Sequence, residues 1–154
     1  MLQYTLINIL NNKAKIKYYE ISREDKEIII DKLKNTIKSH KGVAFVYLHG
    51  SFPNASRFRD IDIAVYMDEV PVSPLQMELR IETLLSSTVP YPVDVKILNN
   101  APLSFTYNAI KNGIPIFVAN EDIRVNFIEK TLNKYFDFAP FRKLYLKETL
   151  GLEV

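Results

Sequence analysis

The stretch that decides the fold is Tyr47–Ser51 (YLHGS), followed after eight residues by Asp60–Val65 (DIDIAV). Val43–Leu48 is a short apolar run that predicts a buried strand, and Gly50 and Ser51 end it where the chain must turn sharply. Because Gly50 has no Cβ, a phosphate can approach its amide, while Ser51 offers a hydroxyl donor. The turn therefore predicts a small anion-binding site.

The segment 60–65 alternates acidic with apolar or small residues, which is typical of a strand with one covered face. Ile61, Ile63 and Val65 are expected to face the core. Asp60 and Asp62 then project from the other face, roughly 6.6 Å apart along the strand. Two carboxylates this close repel each other, and hard oxygen ligands of this kind suit Mg²⁺. The pair therefore predicts a metal-bound triphosphate.

A third acid lies in Val93–Leu98 (VDVKIL), a second alternating strand candidate. A neighbouring strand would lie about 4.8 Å away, close enough for Asp94 to join the first two acids. Three acids predict a site for two metal ions. Asp94 is then the candidate for the carboxylate next to the nucleophile, the attacking hydroxyl of the acceptor. Lys96, two residues on, shares the face of Asp94 and is available to a phosphate or to the acids themselves.

Each of these pieces alone is typical of ordinary protein structure. A Gly-Ser dipeptide is usually a simple turn, and an Asp-x-Asp pair is usually a solvated strand or loop. Their order along the chain is more specific, because a strand, a Gly-Ser turn, an Asp-x-Asp strand, a helix and a third acid on a strand seldom coincide by accident. The combination predicts an enzyme of nucleotidyl transfer.

Composition restricts the class of protein further. The chain has 154 residues, of which 47% are hydrophobic, and no long unbroken apolar run, so we expect one domain with a real core and no membrane span. The N-terminus lacks the basic segment and cleavage site of a signal peptide, which favours a cytoplasmic location. Zero cysteines exclude disulfides and cysteine zinc sites, and a net charge of +2 is too small to indicate direct nucleic acid binding.

The remaining pattern predicts an α/β order. Tyr4–Leu10 and Ala14–Ile21 are predicted to form a hairpin, and a helix is predicted to begin after Ser22 and to continue to Ser39. The other predicted elements are helices over Pro74–Ser86, Pro102–Asn112 and Asp122–Phe136, a strand over Ile114–Val118, and a final helix over Phe141–Leu150. Pro140 is expected to separate the last two helices.

Once these residues are set side by side, the chain resembles a known family. Gly50-Ser51 with Asp60–Val65 is similar to the signature of the polymerase-beta-like nucleotidyltransferase superfamily, and the short chain resembles its minimal nucleotidyltransferase (MNT) branch. Four downstream segments are similar to the antitoxin members of HEPN/MNT toxin–antitoxin systems: Val93–Val95, Leu98–Leu103, Ile110–Phe117 and Tyr135–Pro140.

The resemblance implies a polymerase-beta-like fold, with a mixed sheet flanked by helices in a single domain over residues 22–154 and an extra hairpin over residues 1–21. It implies an antitoxin that transfers AMP from ATP to a tyrosine of a helical HEPN ribonuclease toxin and so neutralises the toxin. Gly50 and Ser51 would hold the phosphates, Asp60 and Asp62 two Mg²⁺ ions, and Asp94 the ion on the nucleophile side.

The sequence also departs from the family pattern. Arg59 stands before Asp60 where a serine is common, and the connecting loop is shorter and lacks glycine. Arg57 and Arg59 are candidates to replace the missing phosphate contacts, since guanidinium groups bind phosphate oxygens in a bidentate way, although both are equally typical of solvated loop charges. Lys96 stands where an acidic or apolar residue is more usual.

Two features leave the function open at this stage. A cluster of aromatic residues between Tyr135 and Tyr145 is typical of core packing, yet it also suits a partner-binding face. Besides AMP transfer to a toxin, the acids are compatible with nucleotidyl transfer to a small molecule, or with an antitoxin that acts only by binding.

Overall fold

The computed structural model describes residues 16–151. The predicted strand Tyr4–Leu10 and the start of Ala14–Ile21 lie outside this range. The strands are β1 (Tyr19–Glu20), β2 (Val43–His49), β3 (Arg57–Phe58), β4 (Ile61–Met67), β5 (Val93–Ile97) and β6 (Ile114–Val118). The helices are α1 (Arg23–Ile37), α2 (Pro74–Ser86), α3 (Leu103–Asn112) and α4 (Glu121–Leu150). The predicted α/β class is confirmed.

Among residues 16–151, four strands form the central sheet in the order β5-β4-β2-β6. β2 runs antiparallel to both β4 and β6, whereas β4 and β5 are parallel, so the sheet is mixed as expected. The parallel pair is connected by α2, which gives the chain the length needed to return to the same edge of the sheet. A separate ribbon joins β1 to β3, with Tyr19 opposite Phe58.

One face of the sheet packs against α1 and α2. The apolar residues Leu33 and Ile37 of α1 and Ile81 and Leu85 of α2 are buried in one cluster with the strands. Both helices begin at serine caps: the Ser22 hydroxyl accepts from the Asp25 amide at 3.1 Å, and the Ser73 hydroxyl accepts from the Gln76 amide at 3.3 Å. These caps confirm the predicted helix starts.

The opposite face packs against α3 and the first half of α4. Phe45 and Tyr47 of β2 are buried there with Ala64 of β4 and Ala109 of α3, and Phe127 of α4 completes the cluster. Both faces of β4 are therefore covered, which differs from the single covered face predicted for residues 60–65, because Ala64 packs in this second cluster. The ends of β2, β4 and β5 near Gly50 and Asp94 carry polar residues that are only partly buried.

The predicted break at Pro140 is wrong. α4 is one helix of 30 residues that contains Pro140 in its interior. Proline removes the hydrogen bond to the carbonyl four residues earlier, which belongs to Phe136. Because Phe136 is 60% exposed, that carbonyl lies in a part of the helix that water can reach, and the helix continues. In the described residues, no helix is long and apolar enough to span a membrane.

Candidate active site

The site forms where β2, β4 and β5 place polar residues side by side. His49 of β2 lies opposite Asp62 of β4, and Asp62 lies opposite Asp94 of β5. The three residues therefore occupy one row across the sheet, and residues in register on adjacent strands point to the same face. Asp60 precedes the first residue of β4 by one position. The structure thus brings the three acids predicted from the sequence to one end of the sheet.

The arrangement of the acids changes the pKa of the Asp62 carboxylate. Its half-burial, followed by the negative charges of Asp60 and Asp94, raises its pKa from 3.8 to about 6, while Arg59 acts in the opposite direction. The acids therefore repel one another in a partly desolvated site. A divalent cation would relieve this repulsion, and the oxygen-only donor set fits Mg²⁺.

The three carboxylates are not yet gathered around a single point. Within residues 16–151, no group of three acidic, histidine or cysteine side chains is arranged closely enough to hold a metal ion. Asp60 and Asp94 each have a basic neighbour instead. Side-chain rotation would be needed to gather Asp60, Asp62 and Asp94 around a cation.

Gly50 places the predicted anion-binding turn directly against Asp62. Its φ of +72° is in the left-handed region that favours glycine. A Cβ at this position would lie 2.1 Å from Asp62 Oδ2 and 2.9 Å from Asp62 Cγ, so only glycine fits there. After it, the Ser51 carbonyl accepts from the Ala55 amide at 2.8 Å, which closes a tight loop. A phosphate bound at this turn would lie beside the Asp62 carboxylate.

Two buried phenylalanines and a lysine hold this loop, and none of them was among the residues predicted from the sequence. Phe52 and Phe58 stack edge to face with centroids 4.8 Å apart, and both are buried. The Lys26 ammonium of α1 donates to the Ala55 carbonyl and lies 5.4 Å from the centroid of the Phe52 ring. The signal available in the sequence was an aromatic residue at each end of a polar loop.

The three basic candidates occupy different places. Arg59 Nε donates to Asp60 Oδ2 at 3.3 Å, and Lys96 Nζ lies 3.9 Å from Asp94 Oδ1. Both side chains are largely exposed, at 60% and 49%, so they are able to reorient toward an anionic ligand. Arg57 instead lies over the ring of Tyr18, with 5.3 Å between the guanidinium carbon and the ring centroid. Two of the three candidates thus adjoin the acids.

His49 also lines the site, beside the acids. Burial lowers its pKa, and the nearby charge of Asp94 only partly opposes this effect, so the imidazole is neutral near pH 7. Its ring packs edge to face on Phe105 of α3, with centroids 5.4 Å apart. Nε2 is buried and has no hydrogen-bond partner among the described residues. This nitrogen is available to a bound ligand.

Comparison with known proteins agrees with this geometry. Residues 31–122 match the family model described as "Polymerase beta, Nucleotidyltransferase", which is more than half of the chain. The matched segment contains the Gly50-Ser51 turn and all three acids. Comparison with curated protein sequences returned no match.

Solved structures share the fold. One is described as tri-AMPylated Shewanella oneidensis HEPN toxin in complex with MNT antitoxin; the match has a TM-score of 0.65 and 19% identity, and it covers 81% of this chain and 98% of that chain. Another is described as a toxin-antitoxin with AMP-PNP; it has a TM-score of 0.62 and 21% identity, and it covers 84% and 99% of the two chains. At these identities, the likeness shows a shared fold.

Proposed function

Because the chain belongs to the polymerase beta nucleotidyltransferase family, we propose that it is an antitoxin that transfers AMP from ATP to a tyrosine of a HEPN-type toxin, and so neutralises the toxin. The observation that carries this proposal is the contact of the Gly50 turn with Asp62, which itself lies opposite Asp94. This contact supports the proposal because transfer from a triphosphate requires a phosphate-binding group beside metal-binding carboxylates.

The solved relatives support the choice of acceptor and donor. One is described as a complex of an MNT antitoxin with an AMPylated HEPN toxin, and another contains AMP-PNP, an ATP analogue. We infer the same donor and the same class of partner for this chain. The reaction would take place in the cytoplasm, where ATP and a ribonuclease toxin meet.

Each site residue has a role in this proposal. Gly50 and Ser51 would bind the phosphates through a backbone amide and a hydroxyl, and Asp60, Asp62 and Asp94 would hold the Mg²⁺ ions. The chemistry that these ions supply when bound is neutralisation of the triphosphate and a lowered pKa of the acceptor hydroxyl. Arg59 and Lys96 exchange their acidic neighbours for phosphate oxygens, and Arg57, which lies over the Tyr18 ring, is the third basic candidate for this contact.

The proposed transfer step is a displacement at the α-phosphorus of ATP. The tyrosine oxygen forms a new bond to the α-phosphorus, and the bond from this phosphorus to the oxygen that bridges the α- and β-phosphates breaks. Pyrophosphate leaves with the electron pair of that bond. The phenolic proton passes to the Asp94 carboxylate and from there to water. The AMP group then remains on the toxin tyrosine.

The test is the intact mass of a HEPN-type toxin encoded beside this chain, after incubation with the chain, ATP and Mg²⁺. We expect a gain of about 329 Da for each AMP group transferred. The Asp60→Asn/Asp62→Asn variant should give no gain. A matched control is Asp68→Asn/Glu69→Gln, since these two acids are exposed just beyond β4 and should leave transfer intact.

A second candidate, an antitoxin that acts only by binding, is favoured by one observation. The second half of α4 exposes several large apolar side chains, including Phe138, Phe141 and Tyr145. A face of this kind suits association with another protein. Toxin that is neutralised without any mass gain, by the native chain and the double variant alike, would establish this alternative and reject AMP transfer.

A further inference from the structure

A cavity of about 360 Å³ opens at the outer edge of β5, where it is lined by Lys96 and Ile97. Its walls are mainly apolar and include Ile97, Ala101, Pro102 and Phe105, and Lys96 lines it as well. No pattern in the sequence predicted this cavity. Its volume is near the lower end of the range for small-molecule sites, about 300–1,000 Å³. It is therefore large enough for one aromatic side chain and the backbone that carries it.

Most polar groups around this cavity already have partners. The Glu78 carboxylate accepts from the amide of Ile97 at 3.0 Å, which satisfies the open edge of β5. The Asn99 side chain accepts from the Met67 amide and donates to the Met67 carbonyl, both at 2.9 Å. The groups left for a ligand are the apolar walls, the exposed amide of Asn100 and the Lys96 ammonium. This set suits an aromatic ring with one polar end and does not suit a triphosphate.

The cavity adjoins the acidic site at two points. Lys96 lines the cavity, and its ammonium lies 3.9 Å from Asp94 Oδ1. Phe105 lines it too, and its ring packs on His49, which pairs with Asp62 across the sheet. A side chain bound along Phe105 would therefore place its outer end beside Lys96 and Asp94.

The stereochemistry of the transfer indicates which of the two substrates binds in this cavity. In a displacement at phosphorus, the attacking and leaving oxygens lie roughly in line on opposite sides of the atom. The Gly50 turn follows β2, whereas Asp94 lies on β5, and β4 with Asp62 lies between these two strands. If the leaving pyrophosphate is held at Gly50, the attacking hydroxyl must arrive from the side of β5. The cavity lies on that side.

We propose that this cavity is the acceptor site, and that it binds the aromatic ring of the tyrosine that receives AMP. The ring packs against Phe105 and Pro102, and the phenolic oxygen lies at the end formed by Lys96 and Asp94. This inference rests on the proposed function and adds the reason for tyrosine, because a serine or threonine hydroxyl would leave the apolar walls unfilled.

The first test is binding, observed by nuclear magnetic resonance on the full chain labelled with nitrogen-15. N-acetyl-L-tyrosinamide is expected to shift the amide signals of Lys96, Ala101 and Phe105 at concentrations up to about 20 mM, a range suited to a ligand of its size. N-acetyl-L-alaninamide should not shift them. ATP is expected to shift Gly50 and Ser51. Absence of shifts with the tyrosinamide, or shifts at Ala101 and Phe105 with ATP instead, would overturn the proposal, the latter in favour of an adenosine site.

The second test uses substitutions whose larger side chains fill the cavity. Ala101→Phe is expected to lower AMP transfer to the toxin at least about tenfold, while the dissociation constant of ATP changes by less than about twofold. Asn100→Phe lines the same cavity from an exposed position and should act in the same direction if Ala101→Phe does not fold. Ala119→Phe, at an exposed position after β6 on the opposite edge of the sheet, is the matched control.

The outcomes separate this inference from the proposed function. Unchanged transfer in both cavity variants, or a parallel loss of ATP binding, would reject the acceptor site while AMP transfer itself stands. Absence of transfer by the native chain would reject the proposed function. In that case, the shifts with N-acetyl-L-tyrosinamide still decide whether the cavity binds a phenol.

Discussion

The two faces of β4 carry residues with opposite tasks. On one face, Ile61, Ile63 and Val65 are completely buried against α1 and α2. On the other, Asp62 is half-buried beside the Gly50 turn. A slip of one residue in strand register would exchange these faces, so burial of the apolar side chains fixes where the acids lie. Stability and chemistry are thus separated by the alternation of one short strand.

The largest expected effect is on the acidic face. Asp60→Asn/Asp62→Asn should lower the rate of AMP transfer by about 10³-fold or more, because the charges that we propose to bind the metals are lost. The free energy of unfolding should not fall, because a mutual repulsion is removed with them. Transfer kinetics and urea unfolding of the same preparation measure the two effects. A variant that is inactive only because it is unfolded would contradict the separation of the faces.

The next effect is on the apolar face. Ile63→Ala should lower the free energy of unfolding by about 3 kcal/mol, since it leaves a cavity in a fully buried position. Transfer activity per folded molecule should remain close to that of the native chain. Ile28→Ala is the control, because Ile28 on α1 is 53% exposed and its truncation should cost little. Loss of specific activity in folded Ile63→Ala, beyond a few-fold, would show that the two faces are coupled.

Gly50→Ala should affect the site more than the fold. The added Cβ collides with the Asp62 carboxylate, so we expect a loss of transfer of about 30- to 100-fold, together with about 1–2 kcal/mol of backbone strain. Gly42→Ala is the matched control: Gly42 also has a positive φ, of +86°, but its nearest neighbour would be Met67 Cε at 3.4 Å. Equal losses of transfer in the two variants would attribute the effect to strain alone.

The smallest effect is a dependence of stability on pH. Because the pKa of Asp62 is raised from 3.8 to about 6, the folded chain retains a proton between these values that the unfolded chain has released. This protonation stabilises the folded state at low pH, and the stabilisation is lost as pH rises to about 6. Urea unfolding should show a smaller decline between pH 4 and pH 7 in Asp62→Asn, by about 1 kcal/mol after allowance for solvent screening.

The effect of Mg²⁺ on stability tests whether the Asp62 carboxylate binds a cation. At pH 7, Mg²⁺ should raise the free energy of unfolding of the native chain, because a cation that binds only the folded state stabilises it. The gain should be absent in Asp62→Asn and small at pH 4, where Asp62 is protonated. An equal gain in the native chain and in the variant would place the binding elsewhere.

Local patterns predicted the elements that carry the site. The alternation in residues 60–65 correctly assigned Ile61, Ile63 and Val65 to the core, but it did not predict that the other face of β4 is covered as well, with Ala64 buried. The predicted bounds of α2, Pro74–Ser86, are confirmed. These features depend on neighbours in the sequence, so a single sequence contains them. The approach of Asp94 to Asp62 required the assumption that β5 adjoins β4, which the parallel pairing now provides.

Features that depend on distant residues were not predictable. Lys26 supports the Gly50 loop from 29 residues away, and Glu78 and Glu82 satisfy the open edge of β5 with their side chains. The prediction of a helix break at Pro140 was wrong because the rule that proline ends a helix does not consider whether water can reach the carbonyl that loses its hydrogen bond. The predicted hairpin in residues 1–21 remains a prediction, since most of it falls outside the described residues.

Transfer of label from ATP to the toxin tests the acidic face of β4 most directly. With ATP labelled at the α-phosphorus, the label should appear on the toxin, and with ATP labelled at the γ-phosphorus it should appear only in pyrophosphate. Both signals should vanish with Asp60→Asn/Asp62→Asn. Label from the γ-phosphorus on the toxin, or undiminished transfer from the α-phosphorus by the variant, would contradict a nucleotidyl-transfer site at these acids.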